Sequence, residues 1–142
     1  MNKKNVLCAI TCVVLILLSG LPACANETAE KRALEASDMW LKLSDSGRYS
    51  ESWETAAELF RNAISREQWS QSLNAVRKPL GKVIKRSVKS KQYATSLPGA
   101  PDGEYVVIQY ETSFEKKKSS IETVTPMREK DGKWRVSGYY IK

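Results

Sequence analysis

The sequence predicts an α+β fold in which three N-terminal helices pack on one face of a four-stranded antiparallel sheet, and three observations carry that prediction. Apolar residues recur every three or four positions up to Gly81, the recurrence then shortens to two, and clusters of Gly, Pro, Asp and Ser stand where one stretch gives way to the next. Helices first and strands afterwards is the α+β order, with the apolar stripe of each helix buried against the sheet.

The first helix runs from about Glu27 to Ser44, with Ala33, Ala36, Trp40 and Leu43 on one stripe and Asp45-Ser46-Gly47 as its stop. Ser50 is the expected N-cap of a second helix carrying Trp53, Ala57, Phe60 and Ile64. Ser65, with Gln68 three residues on, has the form of a capping box; Trp69, Leu73, Val76 and Leu80 follow at helical spacing until Pro79 and Gly81 end the third helix. Lys82 to Lys91 reads as the first strand, with Ile84, Arg86 and Val88 on one face and Val83, Lys85, Ser87 and Lys89 on the other. The turn-rich segment Leu97-Pro98-Gly99-Ala100-Pro101-Asp102-Gly103 separates it from the second strand, Glu104 to Phe114, in which Val106, Ile108, Tyr110 and Phe114 alternate with Tyr105, Val107, Gln109 and Glu111. Lys116 to Ser120 is expected to be a polar connection. Ile121 to Arg128 forms the third strand, with Pro126 requiring an edge or a bulge. Asp131-Gly132 suits a two-residue type I′ turn into the last strand, Trp134 to Ile141, where Gly138 marks a bulge or bend.

The N-terminus has a different organisation. Lys3 and Lys4, the apolar run Val6 to Leu18 and the small residues around Ala23-Cys24-Ala25 follow the order of a secretion signal. The run falls short of the roughly 20 apolar residues that a membrane-spanning helix needs. Cleavage after Ala25 leaves a single domain, residues 26–142. Leu21-Pro22-Ala23-Cys24 also resembles a lipobox, and on that reading the signal is residues 1–23 and Cys24 becomes a lipidated first residue that anchors the domain to a membrane. Both cleavage readings stay open, and both place the domain in the periplasm, secreted or on a membrane. Removing the signal takes away Cys8 and Cys12, so the domain has no disulfide. It also takes Lys3 and Lys4, which lowers the formal charge from +7 to +5.

Pro79-Leu80-Gly81, Arg86, the segment Leu97 to Tyr105, Glu122-Thr123-Val124-Thr125 and Asp131 to Tyr139 occur together and in order, with Trp40-Leu41 and Ser52 to Ala57 before them. In these motifs the chain resembles an uncharacterised exported bacterial family, domain of unknown function 4019. The resemblance implies a cone-shaped fold of the cystatin-like or nuclear-transport-factor-like kind. It implies no activity.

The chain contains no histidine, and none of its cysteines lies beyond Cys24. Ser-His-Asp and Cys-His nucleophilic sites are therefore excluded, zinc is not expected, and no cofactor or catalytic residue is nominated. Paired carboxylates at Glu111 and Glu122, or Asp102 in its turn, are the chemistry that a small cone-fold enzyme would have left to it. Arg86 shares a face with apolar residues, so it must pair with a carboxylate (Glu104, Glu111 or Glu122) or meet an anionic ligand. The segment Arg77, Lys78, Lys82, Lys85, Arg86, Lys89, Lys91 carries no acidic residue and suits an anionic surface. The expectation is a non-enzymatic binding module whose candidate ligand residues are Arg86, Lys85, Lys89, Tyr110 and Glu111, with an envelope protein or small ligand as partner. Nucleic acid is not expected, because aromatic residues do not interleave with the basic ones.

Overall fold

The computed structural model describes residues 21–142; the apolar run Val6 to Leu18, with Cys8 and Cys12, lies outside the described residues. Helices α1 (Leu21–Asp45), α2 (Tyr49–Glu54), α3 (Glu58–Ala63) and α4 (Arg66–Leu80) precede strands β1 (Val83–Ala94), β2 (Glu104–Phe114), β3 (Lys117–Arg128) and β4 (Trp134–Ile141). The strands form one antiparallel sheet in the order β1-β2-β3-β4, with the helices on one face. No helix among the described residues is long and apolar enough to cross a membrane.

The expected α+β architecture is present, with several local differences that have physical causes. The second helix breaks in two: Ala57 is extended (φ −61°, ψ 151°) and its N–H bonds to the Val136 carbonyl of β4 at 2.8 Å. Ala56 and Ala57 are completely buried, and side chains this small let the backbone approach the sheet closely enough for that bond to replace a helical one. The N-cap of α2 is Arg48, which places Ser50 inside the first turn. Ser65 and Gln68 do form the reciprocal capping box of α4. The buried stripe of that helix is Trp69, Leu73 and Arg77, at spacing four, and Val76 turns to solvent.

In the sheet, the Lys116 to Ser120 connection shrinks to the turn Glu115-Lys116, and β3 begins at Lys117. The β3–β4 turn is not type I′, which needs φ > 0 at both central residues. Only Gly132 has it (φ +79°), and the Glu129 N–H to Lys133 carbonyl bond closes a three-residue loop, Lys130 to Gly132, inside which the Gly132 N–H donates to the Glu129 carbonyl. Pro126 sits at a register shift against β4, where one extra residue, Ser137, precedes Gly138; the ladder donor that proline lacks is not needed there.

The core lies between the four helices and the inner sheet face. Trp40 packs on Tyr139 (5.1 Å between ring centroids) and Trp69, and Phe60 meets Trp69 edge-on at 4.9 Å. Val106, Ile108, Val124 and Val136 close the sheet side. Trp40 Nε1 donates to the Ser52 carbonyl at 2.7 Å and Trp69 Nε1 to the Ser52 hydroxyl at 3.0 Å, so burying these rings strands no N–H. Most of the aromatic residues thus belong to the core, while Tyr140 is about half exposed. Residues 23–28 are all exposed, and Ala29 is buried.

Candidate functional site

One end of the sheet carries charge on both faces. β4 ends at Ile141, opposite Glu122, while β1, β2 and β3 continue past it. The inner face of this extension holds a closed ionic cluster, and the outer face holds an open groove.

The cluster is built around Glu122, which has no exposed surface. Arg86 Nε donates to Glu122 Oε2 at 2.6 Å and Arg86 Nη2 to Oε1 at 3.1 Å. The Thr112 hydroxyl also donates to Oε2, and the Tyr139 hydroxyl to Oε1 at 2.6 Å. Arg86 further donates to both oxygens of Asp45, at 2.7 and 3.0 Å, and Arg77 Nη2 donates to Asp45 Oδ1 at 2.7 Å. Two guanidiniums and two carboxylates thus join the end of α1, the end of α4 and strands β1 and β3, and their formal charges cancel. Arg77 also lies over the Phe114 ring at 5.2 Å. Burial alone would raise the Asp45 carboxyl, but Arg86 and Arg77 outweigh it and hold the group below its ordinary value. Burial and the neighbouring Glu122 push the Tyr139 hydroxyl upward, which keeps it a proton donor.

The groove has a volume of about 500 Å³ and lies on the outer face. Lys85, Ser87 and Lys89 of β1, Glu111 and Ser113 of β2, and Lys118, Ser119 and Ile121 of β3 line it. Cross-strand pairing sets Lys85 opposite Ser113 and Ser87 opposite Glu111. Register shifts surround it: one extra residue enters β1 at Ile84, another at Lys89, and one enters β3 opposite Ser113. A shift of this kind lets two successive residues share a face. Lys118 and Ser119 accordingly both reach the groove. Its one ion pair, Lys89 to Glu111 at 3.5 Å, joins side chains that are 48% and 62% exposed.

The structure therefore sorts the candidate residues into two groups. Lys85, Lys89 and Glu111 come together on the outer face. Arg86 belongs to the cluster, with Glu122 the correct partner of the three carboxylates considered. Tyr110 is 2% exposed beneath α1 and donates to Asp38 Oδ1 at 3.0 Å, which closes it to a ligand from outside. Glu111 and Glu122 do not pair: Glu111 faces Ile121 across the strands, so the two carboxylates point to opposite faces. The continuous basic stripe divides as well. Arg77 and Arg86 turn inward, Lys91 pairs with Glu30 of α1 at 3.5 Å, and Lys85 and Lys89 face out.

Three contributors escaped the sequence reading. Asp45 reads as a helix stop, 41 residues before Arg86, and Thr112 and Lys118 read as strand filler and loop. A lysine beside paired serines at a register shift is the only local signal for Lys118. Asp102 lies on the rim of a second depression, about 950 Å³, between α2, α3 and the β3–β4 turn. The arginines there are already engaged: Arg135 with Glu129 and Asp131, Arg128 with Glu104, and Arg61 with the Glu54 carbonyl.

Residues 36–139 match the family described as "Protein of unknown function (DUF4019)". Among solved structures, a chain from Catenulispora acidiphila superposes with a TM-score of 0.53 at 16% identity, covering 84% of this chain and 93% of that one. At that identity the likeness concerns the fold alone. No curated protein matches.

Proposed function

The chain belongs to the DUF4019 family of unknown function, and from its own residues we propose that it is an exported cell-envelope domain that binds an anionic partner without catalysing a reaction. The observation that carries this is the contrast in how its charges are used. Every oxygen of the Glu122 and Asp45 carboxylates is held by an arginine, threonine or tyrosine donor, while Lys85, Lys89 and Lys118 line an open groove with one carboxylate among them. A carboxylate as closed as Glu122 serves the fold and has no access to substrate protons. Exposed lysines around a concavity attract anions from a distance and release them as salt rises.

Export rests on the Lys3-Lys4, Val6 to Leu18 and Ala23-Cys24-Ala25 order, and the exposure of residues 23–28 suits a cut before the core begins. Intact mass of the protein recovered from the envelope of an expressing bacterium is expected to place the first residue at Asn26, or at Cys24 carrying diacylglycerol. Full-length protein retained in the cytoplasm would overturn export. The anionic partner is tested with the same processed protein and dextran sulfate at low ionic strength. Binding should fall steeply with salt and vanish in the triple variant Lys85→Glu, Lys89→Glu, Lys118→Glu. No binding at low salt, or a triple variant that binds like the parent, overturns it.

A further inference from the structure

We propose that the outer groove takes an acidic oligosaccharide, a short run of carboxylate-bearing sugars, with Lys85, Lys89 and Lys118 at its acid groups and Ser87, Ser113 and Ser119 at its ring hydroxyls. This deepens the anionic-partner reading above and rests on it.

The spacing and kind of charge point to a ligand with separated acids. Lys85 and Lys89 stand four residues apart on a strand that rises about 3.3 Å per residue, so their backbones are roughly 13 Å apart. Lys118 lies across β2 from them. A single phosphate is held by donors that meet at one point, whether arginine forks, lysines or a nest of backbone N–H groups, and the lysines of this groove are spread along and across the strands. Glu111 stands among the lysines. Between separated acids it can accept a hydrogen bond from a sugar hydroxyl. Its present pairing with Lys89 is half-exposed and therefore weak enough to be exchanged for a ligand.

The remaining lining favours a sugar over a protein. Tight protein interfaces need a buried aromatic or aliphatic anchor in a pocket. The one large apolar side chain lining the groove is Ile121, and no aromatic ring is available for a base to stack on. Small hydroxyls on a pleated surface offer donors and acceptors at short, fixed reach, which suits a polyhydroxylated ligand. The register shifts at Lys89 and opposite Ser113 enlarge this set by bringing additional side chains onto the outer face.

The test is calorimetric titration of the exported, processed protein with trigalacturonate, its methyl ester and hexaglutamate. Trigalacturonate should bind about tenfold or more tighter than either comparator, since the ester lacks the charges and the peptide lacks the hydroxyls. Ser87→Ala with Ser113→Ala should weaken the sugar about three- to tenfold and leave hexaglutamate unchanged, and Lys85→Glu with Lys89→Glu should weaken both acids. Equal binding of hexaglutamate, or a serine variant with full sugar affinity, overturns the sugar assignment and leaves the anionic-partner reading standing. Failure of trigalacturonate and hexaglutamate while dextran sulfate still binds overturns the sugar assignment alone, and failure of all three, with circular dichroism showing folded protein, overturns both. These substitutions sit on exposed or half-exposed positions of the outer face, away from the core.

Discussion

Arg86 and Ser87 are adjacent in sequence and lie on opposite sides of the sheet, and the regions they belong to spend charge in opposite ways. On the inner side two arginines and two carboxylates, with Glu122 fully buried, Arg77 nearly so and Asp45 at the rim, share six hydrogen bonds of 2.6 to 3.1 Å with each other and Tyr139. On the outer side three lysines and Glu111 remain in water with one loose pair among them. Both sides mix bases with carboxylates, arginines inside and lysines outside, and the environment differs. Inside, desolvation makes a missing partner costly, so each carboxylate oxygen is held by a donor, with only Arg77 Nε and Nη1 left without a hydrogen bond, and the cluster fixes how α1, α4, β1 and β3 meet. Outside, water screens the lysines and the same density of charge leaves the fold indifferent, which frees those residues for a ligand.

The contrast breaks most visibly at Glu122. Glu122→Gln leaves Arg86 and Arg77 facing a neutral amide in a site without solvent, and it should cost about 3–5 kcal/mol, lowering the melting temperature by on the order of 10 °C. Thermal unfolding followed by circular dichroism measures it; a loss below about 1 kcal/mol would show that water reaches the site. Charge balance is distinguished from mere packing by the pair. Arg86→Met combined with Glu122→Met removes both members of the central contact, and a double-mutant cycle in denaturant should give a favourable coupling of about 1–3 kcal/mol. Additive losses would refute the cluster as a unit.

Asp45 sharpens the comparison through pH. Arg86 and Arg77 hold its carboxyl below the ordinary value of 3.8, so the folded state binds that proton less readily than the unfolded chain. The stability this contributes is therefore complete above that value, and it drains away as pH falls through the lower folded value. Asp45→Asn should cost about 1.5–3 kcal/mol at neutral pH, because the amide keeps one acceptor oxygen for two arginines, turns a donor toward them and loses the charge that pairs with them. The gap between variant and parent should narrow once the pH drops below about 3.8, as urea titrations across acid pH would reveal. A gap that stays constant into strong acid would mean that Asp45 acts through shape alone.

How much of this was legible depends on the range of the interaction. The capping box of α4, the stop at Asp45 to Gly47 and the alternation of β2 are local, and each was readable from residues within a few positions of one another. The break at Ala57 was not, because its cause is a bond to Val136, 79 residues later. The Arg86 partnership was half legible. A face shared with apolar residues demanded a carboxylate, and Glu122 was among those available, but only the packing of α1 across the sheet could add Asp45. The stripe of α4 misled for a related reason: apolarity favoured Val76 for the interior, whereas the ion pair with Asp45 and the Phe114 ring draw Arg77 in. The groove was legible in its lysines and hidden in its geometry, since register shifts place Lys118 and Ser119 together and leave no mark in composition.

The smallest expected effect is the other half of the comparison. If the outer charges serve a ligand and contribute little to the fold, Lys89→Ala and Glu111→Ala should each change stability by no more than about 0.5 kcal/mol, and their double-mutant coupling should be smaller still. The reason is physical: both side chains keep about half their surface in water, so separating them exchanges a weak, screened attraction for hydration and recovered rotamer freedom. Adding salt should therefore leave the stability of both variants tracking that of the parent, while it erodes dextran sulfate binding by the parent. A coupling of 1 kcal/mol or more would assign this pair to the fold, as the inner cluster is assigned, and would take from the groove the freedom that its proposed role requires.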